Sequence, residues 1–134
     1  MSLDIAERER EGVILLDMKG RITMGDEATS FRTRVQALTA EGKSNLVFNM
    51  ANVDYIDSTG LGAVVMCSTG VRKAGGSAKL LNLNKRNIEL LVMTKLATIF
   101  EIFTDEQDAV KSFFPGREIK RFDILNFVQQ QNKD

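Results

Sequence analysis

Val53-Asp54-Tyr55-Ile56-Asp57-Ser58-Thr59-Gly60-Leu61-Gly62 joins two apolar runs, and its reading decides the fold. Upstream, Asn45-Leu46-Val47-Phe48-Asn49-Met50 reads as a short buried strand. Downstream, Leu61-Gly62-Ala63-Val64-Val65-Met66 opens a helix. An acid, two hydroxyls and two glycines lie between them. Asp, Ser and Thr side chains accept hydrogen bonds from the unpaired N–H groups of a first helical turn. Glycine lets backbone or a partner come close. The stretch therefore predicts Ser58 exposed at the positive end of a helix dipole.

Toward the N-terminus, Leu3 and Ile5 alternate with polar residues and suggest an edge strand. Glu7 to Gly12 reads as a hairpin turn, and Val13 to Met18 as a second strand. Gly20-Arg21-Ile22-Thr23-Met24-Gly25 reads as a loop. Asp26-Glu27 begins a helix carried by Ala28, Phe31, Val35 and Leu38 and stopped by Gly42. The helix after Ser58 is expected to run to about Ala74, before Gly75-Gly76. Ala78 to Leu83 is a strand, and Ile88, Leu91, Val92 and Leu96 mark a helix. Ile99 to Phe103 is a fifth strand. Asp105 caps a last helix holding Ala109, Val110 and Phe113.

Strands alternating with helices after a hairpin predict an α/β fold. Its sheet is mixed, largely parallel in its later part, with helices packed on it. Functional loops of such sheets lie beyond the carboxyl ends of the parallel strands. Gly20–Gly25 and Val53–Ser58, both read as loops, should then share one rim. Pro115-Gly116 is the clearest break, so residues 1–116 form one domain and 117–134 a C-terminal extension. In the extension, Asp123 is placed to cap a short helix striped by Ile124, Phe127 and Val128, with a frayed end after it. Packing on its own domain is the favoured reading of that stripe, and a homodimer contact the alternative.

Composition narrows the chemistry. A chain of 134 residues suits one domain that buries about two-thirds of its unfolded surface. Lysine plus arginine equals aspartate plus glutamate at 18 each, so no general pull toward nucleic acid or an anionic membrane follows. No apolar run approaches a membrane span. The single cysteine, Cys67, suits a reducing cytoplasm and reads as a packed core thiol. No histidine is present, which removes the commonest general base and a common metal ligand. No phosphate-cradling glycine loop is found, and no carboxylates are visibly paired. The expectation is a binding protein rather than an enzyme, with no metal and no catalytic residue.

Ile56-Asp57-Ser58-Thr59-Gly60-Leu61-Gly62, between strand and apolar helix, resembles the signature of the STAS domain. More narrowly, it resembles the bacterial anti-sigma factor antagonists: an acid, a phosphorylatable serine, Ser or Thr, then Gly-Leu-Gly. The resemblance covers roughly Leu3 to Phe114. It implies a partner switch in which the unphosphorylated protein binds an anti-sigma factor that is also a serine kinase, freeing a sigma factor. Phosphorylation, here at Ser58, weakens the complex, and a serine phosphatase restores it. ATP belongs to the kinase, so no cofactor is implied for this chain. Thr23, Met24, Asp26, Ile56, Asp57, Thr59, Gly60, Leu61 and Gly62 are the implied partner-binding positions. Other readings stay open. Ser58 and Thr59 could simply cap the helix, Thr59 being the more apt, and Thr23 and Asp26 could serve the turn. Met24 could pack in the core, and the rim could instead bind a nucleotide or small ligand as a scaffold or sensory module. Family members often carry an acid just after the second strand. Here that run is Gly20-Arg21-Ile22-Thr23, and the nearest acid is Asp26.

Overall fold

The computed structural model describes residues 3–116 together with Phe122, Ile124 and Val128. Leu3–Arg10 (β1) and Val13–Ile22 (β2) form an antiparallel hairpin, and Glu11-Gly12 alone makes the turn. Both turn residues have positive φ, 52° and 84°, as a two-residue turn matched to strand twist requires. Glu7 to Arg10 therefore stays in the strand, contrary to the longer turn expected.

Asp26–Ala40 (α1), Asn45–Ile56 (β3), Ser58–Lys73 (α2), Ser77–Leu81 (β4), Lys85–Met93 (α3), Ile102–Phe103 (β5) and Glu106–Lys111 (α4) follow, with a short 3-10 helix at Ala97–Ile99. The sheet order is β1-β2-β3-β4-β5, and β2 through β5 are parallel. The mixed, largely parallel sheet expected from the element order is present. Several element ends differ from the expectation. β4 stops at Leu81 rather than Leu83, and α3 stops before Leu96. Phe113 lies beyond α4, and only Ile102–Phe103 of the expected fifth strand pairs in the sheet. Phe100 is buried without joining the strand. Its apolar character is used in packing, which a short run does not distinguish from strand pairing.

Alternation along the strands splits the core in two. Ile14, Leu16, Met18, Leu46, Phe48, Met50 and Leu80 face α1, α2 and α3. Val13, Leu15, Val47, Leu81 and Phe103 face Ala109 and Val110 of α4. Cys67 is buried on α2, and burial pushes its thiol pKa up to about 11, so it is the inert core thiol expected. In the extension, the Phe122 N–H donates to the Ile102 carbonyl at 2.9 Å, and Ile124 is buried in the larger core. Those two residues pack on the domain itself. The expected cap at Asp123, Phe127 in the stripe and the frayed end lie outside the described residues.

The two strands that carry the site outrun the sheet. β3 pairs with β4 only as far as Asn49 opposite Leu81. β2 and β3 continue together through Gly20 opposite Val53 and Ile22 opposite Ile56, with two register shifts. Gly20 to Ile22 and Val53 to Ile56 are therefore strand, not loop. Beyond β4, asparagines on and beside α3 replace the missing neighbour. Asn84 Nδ2 donates to the Val53 and Asp54 carbonyls at 3.2 and 3.3 Å, and Asn87 Nδ2 to Val53 at 3.1 Å.

On the α4 side, Lys79 is buried and paired with Glu101 at 2.9 Å. Its ammonium donates to Ser112 Oγ at 2.8 Å and lies 4.3 Å from the Phe113 ring centre. Nearby, Arg8 bridges Asp17 and Glu106, with Nη2 contacts of 3.0 and 2.6 Å, and Arg10 meets Glu106 at 2.6 Å. Arg8 first, then Asn49 for Asp17 and Arg10 for Glu106, holds both carboxyls below their usual range against the opposing effect of burial. Folded, these acids bind protons less readily than unfolded, so their stabilisation is complete above about pH 5 and lost as pH falls below that. Glu106→Gln should lower the unfolding free energy at pH 7, by under about 1 kcal/mol per lost pair because the groups are part-exposed. Urea titrations of both proteins should converge as the pH is lowered toward about 3.

Candidate functional site

Helix α2 begins against the end of β2. The Asp57 N–H donates to the Ile22 carbonyl at 3.3 Å, and the Asp57 carbonyl accepts the first helical bond from Leu61 at 2.8 Å. With its backbone extended, Asp57 occupies the N-cap and its Oδ1 accepts from the Gly60 N–H at 2.7 Å. Its Oδ2 accepts from the Met24 N–H at 3.0 Å. One carboxylate thus joins the helix N-terminus to the turn between β2 and α1, and the two expected loops meet at one rim.

The cap is Asp57, not Thr59. The cap must precede the first helical residue, and that residue is Ser58. Ser58 and Thr59 are both exposed. Among the described residues, nothing takes the Ser58 hydroxyl in a hydrogen bond. The turn at Thr23 is closed by its carbonyl, which accepts from the Ala28 N–H at 3.0 Å. Gly25 occupies the N-cap of α1 without a side-chain cap bond, and Asp26 sits exposed in the first turn. Met24 is 73% exposed, which decides between a surface and a core position.

Three of the implied partner positions turn inward. Ile56 and Leu61 belong to the larger core, and Gly60 is buried. A Cβ on Gly60 would lie 1.7 Å from the Ile22 carbonyl oxygen, so only glycine permits this approach of helix to strand. Gly62 is different. A Cβ there would meet nothing within 4 Å, and the residue is exposed. The fold itself needs the first glycine. The second leaves open surface beside Ser58.

Met66 was not among the sequence candidates, yet it is 63% exposed. It lies four residues after Gly62 and eight after Ser58, hence on the same helical face. That spacing was the available signal. The rim and its flank therefore present Met24, Asp26, Ser58, Thr59, Gly62 and Met66. Beyond it, an open groove of about 390 Å³ runs between α1 and α2, lined in part by Arg32, Gln36, Thr39, Met66 and Cys67. Among the described residues, no group of three or more Cys, Asp or Glu side chains is placed to hold a metal, and no helix is long and apolar enough to cross a membrane.

The family model of the STAS domain matches residues 4–109. The anti-sigma-B factor antagonist of Bacillus subtilis (strain 168) is 32% identical over 111 residues, covering 83% of this chain and all of that protein. The anti-sigma F factor antagonist of Paenibacillus polymyxa is 26% identical, over 82% of this chain and 94% of that one. Among solved structures, phosphorylated SpoIIAA, a Bacillus cell fate determinant, superimposes with a TM-score of 0.64. That match has 14% identity and covers 81% of this chain and 98% of the other, so it speaks for the fold alone.

The two glycines give opposite expectations. Gly60→Ala should lower the unfolding free energy by about 1–3 kcal/mol, because the clash is with backbone. Gly62→Ala should raise it by up to ~1 kcal/mol, as alanine favours an exposed helix. Chemical denaturation of the two variants checks both signs.

Proposed function

The chain belongs to the STAS domain family, among its anti-sigma factor antagonists, and from this we propose that it is a partner switch governed by Ser58. The unphosphorylated protein binds an anti-sigma factor that is also a serine kinase, and a sigma factor is released. The kinase brings ATP. Ser58 Oγ attacks the γ-phosphorus, its bond to the ADP leaving group breaks, and the hydroxyl proton is lost. A serine phosphatase hydrolyses the ester and restores the antagonist.

The observation that carries this reading is the exposed first residue of α2 with its hydroxyl left free, the cap being taken by Asp57. A capping serine would be tied to its own backbone, and this one is not. Phosphorylation adds about −1.5 to −2 charges. The helix N-terminus accepts that charge without unfolding. A partner packed on Gly62, Thr59 and Met24 would not, with the Asp57 carboxylate already beside it. The modification therefore changes one surface and spares the core.

A second reading draws on the groove between α1 and α2, whose size falls in the range of small-ligand sites. There the chain would be a scaffold or sensory module binding a nucleotide or other small ligand. Ligand affinity with no phosphate incorporated by a cognate kinase would favour it.

Ser58→Asp should abolish binding to the kinase while the melting temperature stays within a few degrees of wild type. Calorimetric titration and thermal scans measure the two quantities. Loss of binding that only accompanies unfolding would overturn the proposal. Mass spectrometry after incubation with kinase and ATP should place one phosphoryl group on Ser58 and none on Ser58→Ala.

A further inference from the structure

We infer that the Asp57 carboxylate is a latch on the turn between β2 and α1, and that a phosphoryl group on Ser58 acts by opening it. The inference rests on the modification proposed above. It adds a route from Ser58 to a second patch of surface, 34 residues away in sequence.

The latch is one rigid carboxylate with both oxygens engaged. Oδ1 holds Gly60 N–H at 2.7 Å and Oδ2 holds Met24 N–H at 3.0 Å. The turn it holds is unusual in shape. Gly25 has φ 102° and ψ −137°, and no side-chain bond caps α1 there. Met24, held by its backbone, shows 73% of its surface to solvent. The apolar side chain is thus displayed because its own N–H is tied down.

Ser58 is the next residue after the latch. A phosphoryl group there brings about 1.5 to 2 negative charges toward a carboxylate that is already bound to the same helix end. Both groups compete for the first-turn N–H donors that no helical carbonyl takes, among them Gly60, which Asp57 now holds. Like charge raises the cost of keeping both in place. Because Asp57 has a single planar carboxylate, leaving Gly60 also withdraws its other oxygen from Met24. The turn is released together with the cap. A partner resting on both Ser58 and Met24 then loses two footholds through one modification. Asp57 is on this account a positioning residue, acting through Met24.

Amide hydrogen exchange on the full, ¹⁵N-labelled chain tests this at single residues. Three proteins are compared: wild type, Asp57→Asn, and a form with phosphoserine installed at position 58 during translation, so that no kinase is needed. In Asp57→Asn the side-chain oxygen still caps Gly60, but an NH2 group faces Met24. Met24 exchange should speed up about tenfold in that variant, with Gly60 changed by less than about threefold. The phosphoserine form should release Met24 to a similar extent. Phe48 in the central strand serves as the reference for an intact fold. Met24 exchanging at the wild-type rate in either altered protein overturns the inference. Kinase affinity of the phosphoserine form, measured separately, keeps the two proposals apart. Weak binding with Met24 still protected sinks the latch and leaves the switch standing. Tight binding with Met24 released sinks the switch and leaves the latch.

Discussion

The carbonyl of Ile22 is the point on which the site is built. It receives the Asp57 N–H, and it lies where a Cβ on Gly60 would have to be. The two facts together force α2 to start hard against the end of β2. From that start the rest follows. Asp57 must be extended, its side chain turns back over the first helical N–H groups, and the next residue, Ser58, has only solvent to face. A serine one position earlier would be consumed as the cap. One two positions later would take the buried place of Gly60.

Much of this was legible from residue order because the local signals agree. An apolar strand, an acid with hydroxyls and an apolar helix can hardly be connected otherwise. The choice of cap was not legible, since Asp57, Ser58 and Thr59 all carry a side-chain oxygen able to cap. A distant residue, Ile22, decides it. The ends of β2 and β3 are hidden for a related reason. Gly20 and Asp54 look like loop residues, and the register shifts in this ribbon spoil the alternation that marks a strand. Nothing in the spacing of Asn84 and Asn87 announces that they serve strand residues 30 to 34 positions earlier. The family resemblance implies contact surface at Ile56 and Leu61. Their side chains instead close the core beneath Ser58.

The same short stretch therefore answers two sets of demands with different residues. Ile56, Gly60 and Leu61 meet the demands of packing. Ser58, Thr59 and Gly62 lie outside it, together with Met24 and Met66, which are large and apolar yet wet. Scattered exposed methionines are ordinary, but one at the rim and one further along α2 suit an adaptable docking surface of the kind proposed. The opposite face of the sheet has a different task. Lys79 and the Arg8 cluster fasten α4 with charge where the apolar patch is small. That fastening lies on the face of the sheet opposite the one that packs α2.

The support of β3 by Asn84 and Asn87 has one more consequence. Where β4 ends, Val53 and Asp54 hang from amide side chains instead of a neighbouring strand. Two or three such bonds can part without unzipping the ladder from Leu46 to Asn49. On its β4 side β3 is therefore held there by side chains alone, while its other edge stays laddered to β2 through Ile22 opposite Ile56.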